Sequence, residues 1–228
     1  MNSIVFLAKN LYNNYKELIR LLPQAIERIF PYLLNFLLIV ISLPVHESAH
    51  GYIAYKLGDP TAKNQGRLTL NPIKHFSIPG AISMLVFGIG WANPVPVNPY
   101  YFKNRKTGMA ITSLAGPMSN ILLALIFMII YKVLYSFNVM GILLYSFFYL
   151  CYGNIRLAIF NLIPVPPFDG SRIFNLFLSE KYYFQIMRYE RYIFIGIFLL
   201  LFTGILTTPL NISTTFFIGL LDKLTFFI

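Results

Sequence analysis

Residues 31–50 read PYLLNFLLIVISLPVHESAH, an apolar run closed by the word His46-Glu47-Ser48-Ala49-His50. Continued to about Tyr55, the run offers the roughly 20 residues a helix needs to cross a hydrocarbon core. It is therefore read as a membrane span opened by Pro31, with the H-E-x-x-H word at its far end. On a helix, His46 and His50 project from one face a turn apart, where two imidazoles can share a metal ion. Glu47 is offset from that pair and suited to take a proton from a water at the metal, the general-base role in metal-assisted hydrolysis. A helix with incidental polar residues fits poorly. The chain has only three histidines and eight acidic residues, yet this one word among Leu, Ile and Val holds two of the former and one of the latter. Ionisable groups set into lipid-facing sequence are costly and tend to be functional.

Composition extends the membrane reading to the whole chain. Of 228 residues, 57% are apolar and 11% charged, whereas about a quarter of the residues in soluble proteins are charged. The net charge of +10 comes from Lys and Arg lying between the apolar runs. That pattern suits loops facing the cytoplasm and anionic lipid, and nucleic acid is not needed to explain it. The single cysteine, Cys151, lies mid-span; it allows no intrachain disulfide and is read as a packing residue. No signal-peptide cleavage pattern is expected at the N-terminus.

In chain order, residues 1–30 form an amphipathic N-terminal segment suited to the membrane surface, or else a partly ordered tail. Lys56 to Phe76 is a basic connection with an Asp59-Pro60 turn and strand-like alternation over Arg67 to Asn71. The apolar, Gly-rich stretch at 79–91 lies between two basic loops, so it is expected to dip in and return, lining a pocket. A short tilted span is the alternative. Full spans follow at Gly108–Tyr135 and at about Val139–Leu162. Three prolines at 164, 166 and 167 then break the helix and force a turn or extended strap ending in Asp169-Gly170. Two more spans, near Tyr192–Thr207 and Leu210–Phe227, complete the chain. The expected fold is an all-α membrane protein: a polytopic bundle of about five spanning helices, a short re-entrant segment and a small β-like hairpin. Residues 31–178 are its core and 179–228 a C-terminal helix pair. Counting from the basic loops puts the H-E-x-x-H word and Asp169 near the cytoplasmic face.

A catalytic zinc site takes three protein ligands and keeps one position for water, so a third donor is needed. Asp59 belongs to an Asp-Pro turn, Glu180 and Glu190 sit among Lys and Arg, and Asp222 adjoins Lys223. Asp169 is the best candidate because it follows a span ending on the same side as His50. A plain Asp-Gly turn is the other reading, and spacing alone does not decide between them. His75 is read as an exposed side chain in an interface loop.

With these words in hand, the chain resembles the site-2 protease type of intramembrane zinc metalloprotease, peptidase family M50, in the compact bacterial form without a PDZ or CBS domain. The resemblance covers roughly Leu33 to Arg172. His46-Glu-Ser-Ala-His50 matches the family's H-E-x-x-H, and Asn161-x-x-Pro164-x-Pro166-x-x-Asp169-Gly170 matches its N-x-x-P-x-P-x-x-D-G. Arg67-Leu-Thr-Leu-Asn-Pro72, Trp91-Ala-Asn-Pro-Val-Pro-Val-Asn-Pro99 and Ala115-Gly-Pro117-x-x-Asn120 also look like family segments. The resemblance implies Zn²⁺ held by His46, His50 and Asp169, with Glu47 as the base and Asn161 holding substrate or the oxyanion. It further implies a transmembrane protein or peptide substrate, cleaved in the bacterial inner membrane. The competing class is a non-catalytic membrane metal-binding protein or metal transporter. A transporter is expected to show a polar row through the bilayer and often a repeat, and neither is visible in the sequence.

Overall fold

The computed structural model describes residues 24–77, 93–139 and 141–228. The expected re-entrant stretch and most of the N-terminal segment lie outside the described residues. The described chain is mostly helical. The first helix, α1 (Gln24–Lys56), contains both Pro31 and Pro44. It therefore begins before Pro31, where the sequence reading had opened it. Residues 24–30 include good helix formers such as Ala, Glu and Arg, and the bond Pro31 cannot donate would reach only into the first turns.

A short helix, α2 (Thr61–Asn64), follows α1. Two single 3₁₀ turns then occur at Pro72–Lys74 and Pro99–Tyr101, each opened by an Asn-Pro pair. The Asn71 and Asn98 side chains accept from the amides two residues on, at 3.0 and 3.1 Å, which is how asparagine starts a turn. Beyond them lie α3 (Arg105–Ser136), α4 (Gly141–Asn161), α5 (Asp169–Phe174), α6 (Glu180–Arg188), α7 (Glu190–Phe202) and α8 (Thr207–Leu224).

Among the described residues, three helices are long and apolar enough to cross a membrane: Arg28–Lys56, Arg105–Ser136 and Gly141–Asn161. The helices α7, of 13 residues, and α8, of 18, are not in that set; at the helical rise α7 is about 20 Å long, against a hydrocarbon core of roughly 30 Å. Among the described residues there is no sheet, and Arg67–Asn71 runs without a strand partner.

The helix α3 is the centre of the bundle, packed between α1 and α4 with α8 beside them. Its register on α1 is antiparallel. His50 meets Thr112, His46 and His50 meet Gly116, and Leu38 shares a buried cluster with Ala124, Met128, Cys151, Ile155 and Ile218. Gly153 of α4 closes on Leu38, where an added Cβ would come 2.5 Å from the leucine side chain. Small residues at these crossings let the backbones approach, the main device for packing helices in lipid. Cys151 is fully buried and unbonded, in keeping with a packing role.

Candidate metal centre

The site begins with the four-residue spacing on α1. His46, Glu47 and His50 are 7%, 9% and 8% exposed. The Nε2 atoms of His46 and His50 are 3.0 Å apart. Asp169 reaches them from the start of α5: its Oδ2 lies 3.2 Å from His46 Nε2 and 3.3 Å from His50 Nε2. The three donors come from two segments far apart in sequence, and one atom from each lies within 4.8 Å of the others.

The strap after α4 delivers the aspartate. Prolines 164, 166 and 167 prevent α4 from continuing, and Phe168 folds back onto Phe160, ring centroids 4.5 Å apart and edge to face. Asp169 then opens α5. Gly170 is required by the crossing of the chain over itself, because a Cβ there would run into the Leu162 and Ile163 carbonyls. Asp-Gly thus serves a close backbone approach and sets Asp169 beside the two imidazoles.

Two further features shape the centre. The Thr112 carbonyl lies 2.7 Å from His50 Nδ1. A carbonyl only accepts, so Nδ1 carries the proton and the Nε2 lone pair is left facing the cluster. At Gly116 an added Cβ would fall 2.5 Å from His46 Cε1 and as close to the His50 ring, so only glycine admits both imidazoles. Burial pushes the Asp169 carboxyl up, whereas protonated imidazoles beside it pull it down; the ionised carboxylate is the form that binds metal.

These residues fit a zinc ion. The donors of a tetrahedral zinc with bonds of 2.0–2.1 Å sit about 3.3 to 3.4 Å apart, close to the observed triangle. Asp169 Oδ2 is buried without a hydrogen-bond partner of its own, as expected of an oxygen reserved for a cation. Among the described residues the cluster has three members, which leaves a fourth tetrahedral position for water or substrate.

Glu47 lies beside the triangle. Its Oε2 accepts from the Val95 amide at 2.8 Å. The Val95 segment is anchored on both sides. Arg67 donates to the Asn93 and Pro94 carbonyls at 2.6 and 3.3 Å, and Asp59 accepts from the Asn98 amide at 2.7 Å. Asp59 is fully buried and also accepts from the Thr61 amide and hydroxyl. The Asp-Pro turn therefore acts as a staple between α1 and the segment that holds Glu47.

The remaining expectations divide. His75 is fully buried, which corrects its reading as an exposed side chain. Its Nε2 lies 2.8 Å from the Thr69 carbonyl, which also accepts from the Ser48 hydroxyl at 2.7 Å, so the loop folds its histidine inward to pin the chain against α1. His75 is not in the metal cluster. Asn161 stands at the end of α4 with its amide donating to the Leu157 carbonyl at 3.0 Å. Thr112, Gly116, Val95 and Asp59 were missed as contributors. The only signals for them were the Ala-Gly-Pro word and the proline-rich segment, and neither names a partner.

Comparison with known proteins finds similarity to named zinc metalloproteases. The family profile described as Peptidase family M50 matches residues 136–203. The chain is 41% identical over 189 residues to a Bacillus subtilis protein named "Putative zinc metalloprotease YwhC", covering 80% of this chain and 83% of that one. It is 30% identical over 148 residues to "Zinc metalloprotease MJ0392" of Methanocaldococcus jannaschii, covering 64% of this chain and 35% of that one. No solved structure gives a significant match.

Proposed function

The chain belongs to peptidase family M50, and from that premise we propose that it is an intramembrane zinc metalloprotease that hydrolyses peptide bonds of transmembrane or membrane-associated substrates. The observation that carries the reading is the near-tetrahedral triangle of His46, His50 and Asp169 with a buried glutamate beside it.

Bound zinc supplies a Lewis acid that activates water and polarises the scissile carbonyl. The chain's own residues do the rest. His46 and His50 hold the ion through Nε2, and Asp169 through Oδ2. Glu47 takes a proton from the attacking water at a carboxylate oxygen and passes it to the leaving amine. Val95 N–H fixes the orientation of that carboxylate. Asn161, by exchanging the Leu157 carbonyl for the developing oxyanion, donates a hydrogen bond of a kind typically worth about 3 kcal/mol.

A transmembrane helix has its carbonyls engaged in its own ladder, so the substrate unwinds before attack, and Gly or Pro near the cut assists. An open groove of about 360 Å³ between α1 and the 68–70 segment, lined by Val45, Ala49, Tyr52, Leu68 and Leu70, supports docking of an extended peptide along Arg67–Asn71 by strand addition. The basic loops around the site support a bacterial inner membrane location with the centre toward the cytoplasm.

Glu47→Gln is the test. The purified variant is expected to bind zinc as the parent does and to lose cleavage of a membrane peptide by several orders of magnitude. Cleavage at the parental rate would refute the base assignment, and a parent chain that cleaves equally well without zinc would refute the proposal.

A further inference from the structure

The two imidazoles are held unequally. His50 Nδ1 has the Thr112 carbonyl, whereas His46 Nδ1 is buried with no hydrogen-bond partner among the described residues. An imidazole that binds metal through Nε2 is ordinarily fixed by a bond from its other nitrogen to a carboxylate, a carbonyl or water. Among the described residues, His46 has no direct protein group in that role.

The register of α1 on α3 indicates what adjoins it. The pairs His50–Thr112 and His46–Gly116 retreat four residues on α1 as they advance four on α3. The pair two steps further, Leu38 and Ala124, lies in the common core cluster. The intermediate step sets Ser42 opposite Asn120, one turn deeper than His46. Both residues are 1% exposed, and Ser42 Oγ and Asn120 Oδ1 likewise have no partner among the described residues. Helical side chains lean toward the preceding turn, which carries the His46 ring over Ser42. The register thus assigns three orphaned polar atoms to one buried layer of the α1–α3 crossing, where leaving each unpaired is unfavourable.

We infer that Ser42 and Asn120 support the His46 ligand through one buried water. The water accepts from His46 Nδ1–H and donates to Ser42 Oγ and Asn120 Oδ1. A water with three polar partners is the usual complement of such a layer. The support holds the proton on Nδ1 and orients the Nε2 lone pair toward the ion. Ser42 and Asn120 are positioning residues and do not touch substrate. The inference rests on the zinc reading of His46, His50 and Asp169.

The test uses the full chain in detergent, with zinc affinity read by competition against a chromophoric chelator and the visible spectrum read after cobalt(II) substitution. Ser42→Ala and Asn120→Ala are each expected to weaken zinc about 10- to 100-fold and to shift the cobalt bands. Ser42→Thr, which keeps the hydroxyl, is expected to behave as the parent does. If Asn120→Ala does not fold, Ser42→Ala decides alone, since it removes a single oxygen. Parental affinity with an unchanged cobalt spectrum in the alanine variants overturns the inference and leaves the zinc site standing. A parent chain that takes up no zinc overturns the zinc reading and this inference with it.

Discussion

At Gly116 the absence of one methyl group decides whether two ligands can stand side by side. Alanine is the better helix former by about 1 kcal/mol, so Gly116→Ala would stabilise α3 if space were available. Its Cβ would instead collide with both imidazoles. The variant is expected to stay helical by circular dichroism while its zinc content per chain falls at least tenfold. Asp59 gives a second test. Asp59→Ala strands the partly buried amides of Thr61 and Asn98, at a cost of about 1 kcal/mol each. A lowered melting temperature is expected, with a slower turnover because the Val95 segment that orients Glu47 is then anchored on the Arg67 side only. Asp59→Asn, which keeps an acceptor oxygen, is expected to recover part of both. The H-E-x-x-H word was legible at this scale because its chemistry is contained in one helical turn. The roles of Gly116 and Asp59 were not, since a glycine or an aspartate carries no mark of what it will touch.

Among the elements, α8 is attached to α3 partly by one charged group. Lys132 Nζ lies 3.0 Å from Asp222 Oδ1 and donates to the Asp222 and Thr225 carbonyls at 2.9 Å each. A lysine on α3 therefore satisfies the open carbonyls at the C-terminus of α8, where a helix favours positive charge. The Asp222 carboxylate is partly exposed, which weakens the ion pair itself, so the carbonyl bonds are the larger part. Lys132→Met is expected to cost about 1 to 3 kcal/mol. Faster hydrogen exchange confined to the last turns of α8, with zinc content unchanged, is the measurement that checks it. The strap from α4 to α5 was legible in part: prolines announce a stop, yet the stop does not say where the chain lands. The Phe168–Phe160 contact and the crossing at Gly170 settle that.

Across the whole molecule, the metal centre ties the C-terminal end of α1 to the start of α5. An ion held by the native chain stabilises it by mass action, about 2.7 kcal/mol at a free concentration 100 times the dissociation constant. Removing zinc with a chelator is therefore expected to lower the melting temperature and abolish cleavage together, with both restored by added zinc. A chelated chain that melts as before would mean that the centre is not part of the fold's stability. What the sequence determined by itself was the membrane character, the long apolar helices and the pairing of His46 with His50 on one helix face, because hydropathy and the 3.6-residue period are local properties. Asp169 was named from the sequence as the third donor, and the structure brings it to the pair; tertiary structure alone decided that His75 is buried and that Thr112 and Gly116 face the two imidazoles. Those facts depend on how one helix slides and turns against another, and that register is set by the summed fit of many small contacts far apart in the chain.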